Sequence, residues 1–260
     1  MNPPSPSYAA CVAWRETPNS RPVDLSVVIP AFNEQARIIP TIAAWVAHLA
    51  PRDLCWEIVV SDDGSTDATT ALIELIGHVN VRLVRAPRNA GKGAAVHRGF
   101  SEARGRMVLF CDADNATPVQ EIDGLIARLR AGADVAVGSR AAHGADVNNR
   151  SVLRSAMTTG LRRLVSLGLG IAVTDTQCGF KLFTADAARR VCAVHTIDGF
   201  AFDLEMLYLA ERLGLTVAEV PVRWYDAPGS TVRPLQEAVR FLASIVRIRM
   251  NAARGLYAHA

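Results

Sequence analysis

From Asp24 onward, short apolar runs rich in β-branched residues alternate with longer helical stretches, and this alternation constrains the fold more than any other feature of the chain. The runs are Leu25–Ile29, Glu57–Val60, Val81–Val84, Met107–Cys111 and Val135–Val137, and the spacing between them predicts helices near 35–49, 66–76, 92–104 and 119–131. Apolar runs bounded by turn signals and separated by helices bury both faces of a sheet. The expected class is therefore α/β, a Rossmann-like, mostly parallel sheet with helices on both faces and right-handed crossovers. After residue 150 the pattern changes. A helix is expected over 150–169, a polar loop over Thr174–Phe180, helices near 185–193 and 202–213, a strand over Thr216–Trp224 and a last helix over 234–251. In that last helix Val239, Leu242, Ile245, Val246 and Met250 mark an apolar stripe, with Arg240, Arg247 and Arg249 off it.

Length and composition set the outer bounds. At 260 residues the chain has room for one large domain, expected over 23–235 and followed by an amphipathic helix and tail over 236–260. Residues 1–22 carry five prolines and read as a disordered lead-in without the basic and apolar regions of a signal peptide. The longest uncharged runs are 14 residues, too short for a membrane span. A net charge of +3 does not suggest nucleic-acid binding, and five widely spaced cysteines without a C-x-x-C pair suggest neither a disulfide framework nor a zinc site. The six histidines lack metal-ligand spacing, and Trp14, Trp45 and Trp56 are expected as packing residues. Trp224 is read the same way, with an acceptor site as its alternative. Of 28 basic residues only Lys92 and Lys181 are lysines.

The chemistry gathers at strand ends. The second run ends in Ser61-Asp62-Asp63-Gly64-Ser65-Thr66-Asp67 and the fourth in Asp112-Ala113-Asp114. In an open α/β sheet ligands bind beyond the carboxyl ends of the strands, so both acidic clusters are expected to face one crevice. Carboxylates at i and i+2 suit a hard divalent cation that also takes diphosphate oxygens. The block Arg88-Asn89-Ala90-Gly91-Lys92-Gly93 starts a helix without P-loop spacing, and its lysine between glycines can approach a nucleotide closely.

In order along the chain, Val28-Ile29-Pro30-Ala31-Phe32-Asn33-Glu34, Val60–Asp67, Asn89–Gly93 and Asp112-Ala113-Asp114 resemble the family 2 inverting glycosyltransferases of the GT-A fold. Gly138-Ser139-Arg140, Asp175–Phe183, Gly199–Glu205 and Glu219–Trp224 look most like the dolichyl-phosphate β-glucosyltransferases and related polyprenyl-phosphate hexosyltransferases. The resemblance implies that Pro30, Ala31, Glu34, Asp62, Asp63, Lys92 and Asp112 bind the nucleotide. It implies that Asp112 and Asp114 hold Mg²⁺ or Mn²⁺, and that Arg140, Arg154 and Thr158 hold an acceptor phosphate. Gln177, Lys181, Asp203 and Glu205 fall in the acceptor-side blocks, and Asp112, Asp114, Arg140, Arg154 and Asp175 form the expected catalytic set. In the mannose synthases a glutamine follows the second Asp by two residues as a further metal ligand; here Ala116 stands there, which weakens a GDP-mannose reading.

The implied activity is transfer of a hexose, glucose from UDP-glucose, to a polyprenyl phosphate by a cytoplasmic protein, peripheral at the cytoplasmic face of the membrane. A soluble small-molecule acceptor and a GDP-mannose donor are the alternatives. A nucleotide-sugar-binding protein without turnover is a third reading, opposed by intact Asp112, Asp114, Lys92 and Arg140. A phosphate acceptor is already ionised and needs no general base, whereas a hydroxyl acceptor needs one, for which Asp175, Asp203 and Glu205 are the candidates.

Overall fold

The computed structural model describes residues 22–78, 80–142, 145, 165, 168–199, 201–225 and 234–257. The expected lead-in up to Arg21 lies outside them, as do Arg154 and Thr158. The elements in chain order are β1 (Leu25–Ala31), α1 (Ile38–Leu49), β2 (Trp56–Asp62), α2 (Thr69–Ile76), β3 (Val81–Arg85), α3 (Lys92–Glu102), β4 (Met107–Cys111), a 3₁₀ turn (Val119–Glu121) and α4 (Ile122–Arg130). Then follow β5 (Val135–Ser139), β6 (Phe180–Thr184), α5 (Ala185–Val194), α6 (Phe202–Arg212), β7 (Val217–Pro221) and α7 (Pro234–Ala253).

The seven strands form one sheet in the order β3-β2-β1-β4-β6-β5-β7. Every pairing is parallel except the two made by β6, which runs antiparallel to β4 and β5. Side chains alternate across the sheet, and each face has its own core. Val28, Val59, Phe110, Val137 and Phe183 pack with α3, α5, α6 and the inner side of α7. Leu25, Val27, Ile29, Ile58, Leu109, Phe180 and Leu182 pack with α1 and α4. The expected α/β layering with helices on both faces is thus the observed one.

Two expectations are corrected. Phe180–Thr184 is a strand, although the polar loop is expected to reach Phe180 and no element is expected before the helix near 185. Lys181 is the second residue of this Phe-Lys-Leu-Phe-Thr run and hides its apolar character, yet its side chain is fully buried because its charge is answered inside the fold. The apolar stripe expected on the last helix also divides. Ile248 is buried and Ile245 partly buried against the core, while Leu242, Val246 and Met250 face outward. Helical periodicity requires this split, since 245, 248 and 252 share one side and 242, 246 and 250 another.

Candidate active site

The carboxyl ends of β1, β2 and β4 lie side by side in the sheet, and the chain leaves each with a loop that carries polar groups. The Asp63 N–H donates to the Ala31 carbonyl at 2.8 Å, which ties the first two loops together. Asp62 is fully buried, and its carboxylate accepts from the Gly64 and Ser65 N–H groups at 3.2 and 3.1 Å. Its task is to fold that loop. Asp63 accepts from Ala90 N and Gly91 N at 3.0 and 2.7 Å through Oδ2, which draws the Asn89–Gly93 block against it.

Gly91 takes φ 114° as the cap residue of α3, a conformation that favours glycine. Gly93 N–H and Ala94 N–H donate to the Asp198 carbonyl at 2.7 and 3.2 Å, so the turn before α6 clamps the start of α3. Lys92, the first residue of that helix, is thereby aimed at β4. Its Nζ lies 2.6 Å from Asp112 Oδ1 and 5.4 and 6.0 Å from the ring centres of Phe110 and Phe202. Burial works against the ammonium. The carboxylates of Asp112 and Asp203 outweigh it and hold the Lys92 pKa above the usual lysine value.

The Asp112–Asp114 turn is held from both ends. Asp114 Oδ1 accepts from Ala116 N at 3.0 Å, and Asn115 between them takes φ 54°, a left-handed conformation that asparagine tolerates. Asp112 N–H donates to the Gly179 carbonyl at 3.1 Å, and a methyl group at Gly179 would overlap the Asp112 carboxylate. Asp112 Oδ1 is buried without a well-directed hydrogen bond, leaving Lys92 as its ionic neighbour. Among the described residues no three His, Cys, Asp or Glu side chains converge as a metal site. Two hard carboxylates at i and i+2 that both border the same cavities fit Mg²⁺ or Mn²⁺ that completes its shell with phosphate oxygens and water.

Two cavities meet at these carboxylates. The larger, about 1080 Å³ with its open mouth, is lined by Pro30, Ala31, Glu34, Asp63 and Lys92 among others. The smaller, about 490 Å³, is lined by Trp45, Thr117, Arg140, Gln177, Gly179 and Trp224 among others. Asp112 and Asp114 line both. Arg140 donates from Nε and Nη2 to Asp175 at 2.7 and 2.8 Å, and its guanidinium lies 5.5 Å from the Trp224 ring centre. Burial alone would raise the Asp175 pKa, but the fork to Arg140 outweighs it and holds the group at about 2.

That depression carries a stability prediction. The folded pKa lies below the unfolded value of 3.8, so the stabilisation is complete above about pH 4 and lost as pH falls through about 2. Asp175→Asn should be roughly 2 kcal/mol less stable than the parent in urea at pH 6, with the gap closing toward pH 2. A gap that does not change with pH would refute the pairing as its source.

Residues 26–191 match the model of glycosyl transferase family 2. The chain belongs to that family. It is a glycosyltransferase, and its curated relatives narrow the branch. It is 36% identical to the dolichyl-phosphate beta-glucosyltransferase of Dictyostelium discoideum, over 92% of this chain and 79% of the relative. Against the enzyme of that name from Saccharomyces cerevisiae the identity is 34%, over 90% and 76%. Among solved structures, glucosyl-3-phosphoglycerate synthase from Mycobacterium tuberculosis, in complex with Mn²⁺, UDP-glucose and glycerol 3-phosphate, superposes with a TM-score of 0.63. That match covers 95% of this chain and 86% of the synthase at 22% identity, which establishes a shared GT-A fold.

In this glycosyltransferase the expected site residues part into three groups. Pro30, Ala31, Glu34, Asp63, Lys92, Asp112, Asp114, Arg140 and Gln177 line one cavity or both. Asp62, Asp175, Lys181, Asp203 and Glu205 are buried and line neither. Arg154 and Thr158 fall outside the described residues. Lys181 Nζ donates to the Cys178 carbonyl at 2.7 Å and to Asp203 Oδ1, so direct contact between Lys181 and an acceptor is not the arrangement found. Glu205 accepts from Thr196 N, Ile197 N and Tyr257 OH at 2.9, 2.8 and 2.5 Å, deep in the core.

Sequence reasoning missed Arg37, which pairs with Glu34 at 2.6 Å on the lining of the larger cavity. The i, i+3 spacing was its available signal. Trp45 is a packing residue as expected, stacked 6.1 Å from Phe180, and it also lines the smaller cavity. Trp224 lines that cavity too, which favours the alternative weighed for it.

Proposed function

We propose that this glycosyltransferase moves glucose from UDP-glucose to a polyprenyl phosphate, with inversion and with Mg²⁺ or Mn²⁺ held by Asp112 and Asp114. The observation that carries the choice of acceptor is the engagement of all three candidate bases. Asp175 is locked to Arg140 and held at about pKa 2, Asp203 is bonded to the Lys181 ammonium, and Glu205 is enclosed by Thr196, Ile197 and Tyr257. A hydroxyl acceptor would find none of them free to take its proton. A phosphate acceptor has no such proton to lose.

In this reading a phosphate oxygen attacks C1 of the glucosyl unit, the bond from C1 to the β-phosphate oxygen breaks, and UDP leaves with the electron pair. The divalent ion, when bound, supplies positive charge to the diphosphate oxygens. Lys92 adds a second fixed cation on the donor side. Arg140, already oriented by Asp175, presents its remaining N–H groups toward the acceptor cavity beside Trp224. The names and extent of the curated relatives support the lipid acceptor and the glucosyl unit. The UDP-glucose and Mn²⁺ bound to the synthase of the same fold support the donor and the metal class.

The test incubates the protein with Mn²⁺ and either UDP-glucose or GDP-mannose, with a short polyprenyl phosphate, a soluble phosphate monoester or neither. Release of UDP that depends on polyprenyl phosphate is the expected result. Faster turnover on the soluble monoester would move the acceptor to the second reading, and turnover from GDP-mannose alone would replace the donor. Arg140→Ala should raise the acceptor KM about 100-fold and leave donor affinity within threefold. An unchanged acceptor KM would remove Arg140 from the acceptor site.

A further inference from the structure

Among the described residues the large apolar side chains most exposed to solvent are Phe32, Leu75, Tyr225, Leu242, Val246, Met250 and Leu256. Four of these seven belong to α7 and the turn that follows it, which makes this the apolar surface in need of explanation. Leu242, Val246 and Met250 are 44%, 58% and 47% exposed, and their four-residue spacing sets them in one stripe along the helix. The opposite side is already satisfied. Ile248 is buried, Asn251 Nδ2 donates to Thr196 Oγ1 at 2.9 Å, and Tyr257 OH donates to Glu205. The outward stripe is therefore surplus to the core.

Arginines border it on both edges. At about 100° per residue, Arg247 and Arg254 fall beyond Met250 on one side of the stripe and Arg249 beyond Leu242 on the other. All three are exposed, and Arg249 also donates from Nε to the Gly168 carbonyl at 2.6 Å. After Glu237 the chain has no acidic residue, although it holds 25 in all.

We propose that this outer face of α7 docks the protein on an anionic lipid surface. An apolar stripe with Arg247 and Arg254 along one edge and Arg249 on the other matches a headgroup layer, where the stripe enters the acyl boundary and the arginines reach the phosphates. A second copy of the chain matches it poorly. A two-fold contact through this face would set arginine against arginine with no carboxylate on the stripe's border to answer them. No described helix is long and apolar enough to cross a membrane, so this contact would be peripheral.

Neither the stripe nor its arginines involve the acceptor, and the test omits polyprenyl phosphate, so the docking can fail or succeed apart from the proposed activity. The full chain is sedimented with vesicles of phosphatidylcholine alone and with vesicles carrying about 30% phosphatidylglycerol, a surface that contributes roughly fivefold in partition per arginine. The expected result is binding to the anionic vesicles that weakens as salt is added. Arg247→Gln with Arg254→Gln should cost about 25-fold in partition, and Leu242→Ser with Val246→Ser and Met250→Ser more than tenfold. Both variants should keep the parent's thermal midpoint within a few degrees and its affinity for UDP in the presence of Mn²⁺. Equal, weak sedimentation with both vesicle types would overturn the proposal. So would serine variants that dissociate a dimer by light scattering while binding vesicles like the parent.

Discussion

Asp114→Asn is expected to lower turnover at least about 10³-fold while leaving the protein folded. The exchange is chosen for what it keeps. Asparagine retains an oxygen at the position that accepts the Ala116 N–H, so the turn carrying Asn115 in its left-handed conformation should persist. What disappears is one negative charge at the junction of the two cavities, both of which the side chain borders. A hard divalent ion with only Asp112 left as an anionic protein ligand would bind weakly, and the departing diphosphate would lose most of its countercharge. Steady-state UDP release with Mn²⁺ measures the first effect, and titration with Mn²⁺ alone, read calorimetrically, measures the second. If the variant turns over within tenfold of the parent and binds Mn²⁺ as well, Asp114 has no part in metal binding or catalysis.

How much of this site was legible before the structure depends on the local physics of each segment. The donor side could be read well because its signals are local. Apolar runs end abruptly at Asp62 and at Asp112, and the requirement that ligands meet strand ends brings those loops together without further information. Within that side one distinction was invisible. Asp62 and Asp63 are adjacent in sequence, yet the alternation of a strand sends one carboxylate inward to hold Gly64 and Ser65 and the other toward the Asn89–Gly93 block. Both are buried, so side-chain direction separates their tasks, and composition does not register direction.

The acceptor side was harder because its residues are defined by long-range pairing. Nothing local marks Phe180–Thr184 as an antiparallel strand between β4 and β5, since that depends on register with Phe110 and Leu182's other neighbour, Ala136. The same pairing explains Lys181. It lies opposite Phe110 across the strands, its Nζ 5.7 Å from that ring, with Asp203 as its counter-ion. A charged residue in a motif suggests contact with ligand, whereas here it is the buried partner of another charged residue. The chain's two lysines thus take up different stations around one phenylalanine. Lys92 faces the donor cavity and Lys181 lies beneath the floor. The carboxylates of the 199–205 block turned inward for the same reason, which leaves them engaged within the fold and not free to serve as bases.

Gly179→Ala tests that floor by the smallest available change. Gly179 does not use a left-handed conformation, so alanine meets no backbone penalty there. Its methyl group would instead overlap the Asp112 carboxylate and push it from its place beside Lys92. Because the obstructed group is the end of a side chain that borders a cavity, the fold can yield cheaply, and the thermal midpoint should fall by only a few degrees, within about 1–2 kcal/mol. Function has less room. A carboxylate displaced by about 1 Å from its counter-ion and from the ligand oxygens it should meet costs on the order of 100-fold in kcat/KM. The expected signature is therefore a folded protein with weak UDP binding and turnover reduced about 100-fold. Loss of stability in proportion to loss of activity would mean that Gly179 serves the packing of β6. Normal turnover would mean that the reaction does not depend on holding the Asp112 carboxylate in its place beside Lys92. Only the dissociated outcome, stable and inactive, is consistent with a glycine kept small so that one carboxylate can stand where two cavities meet.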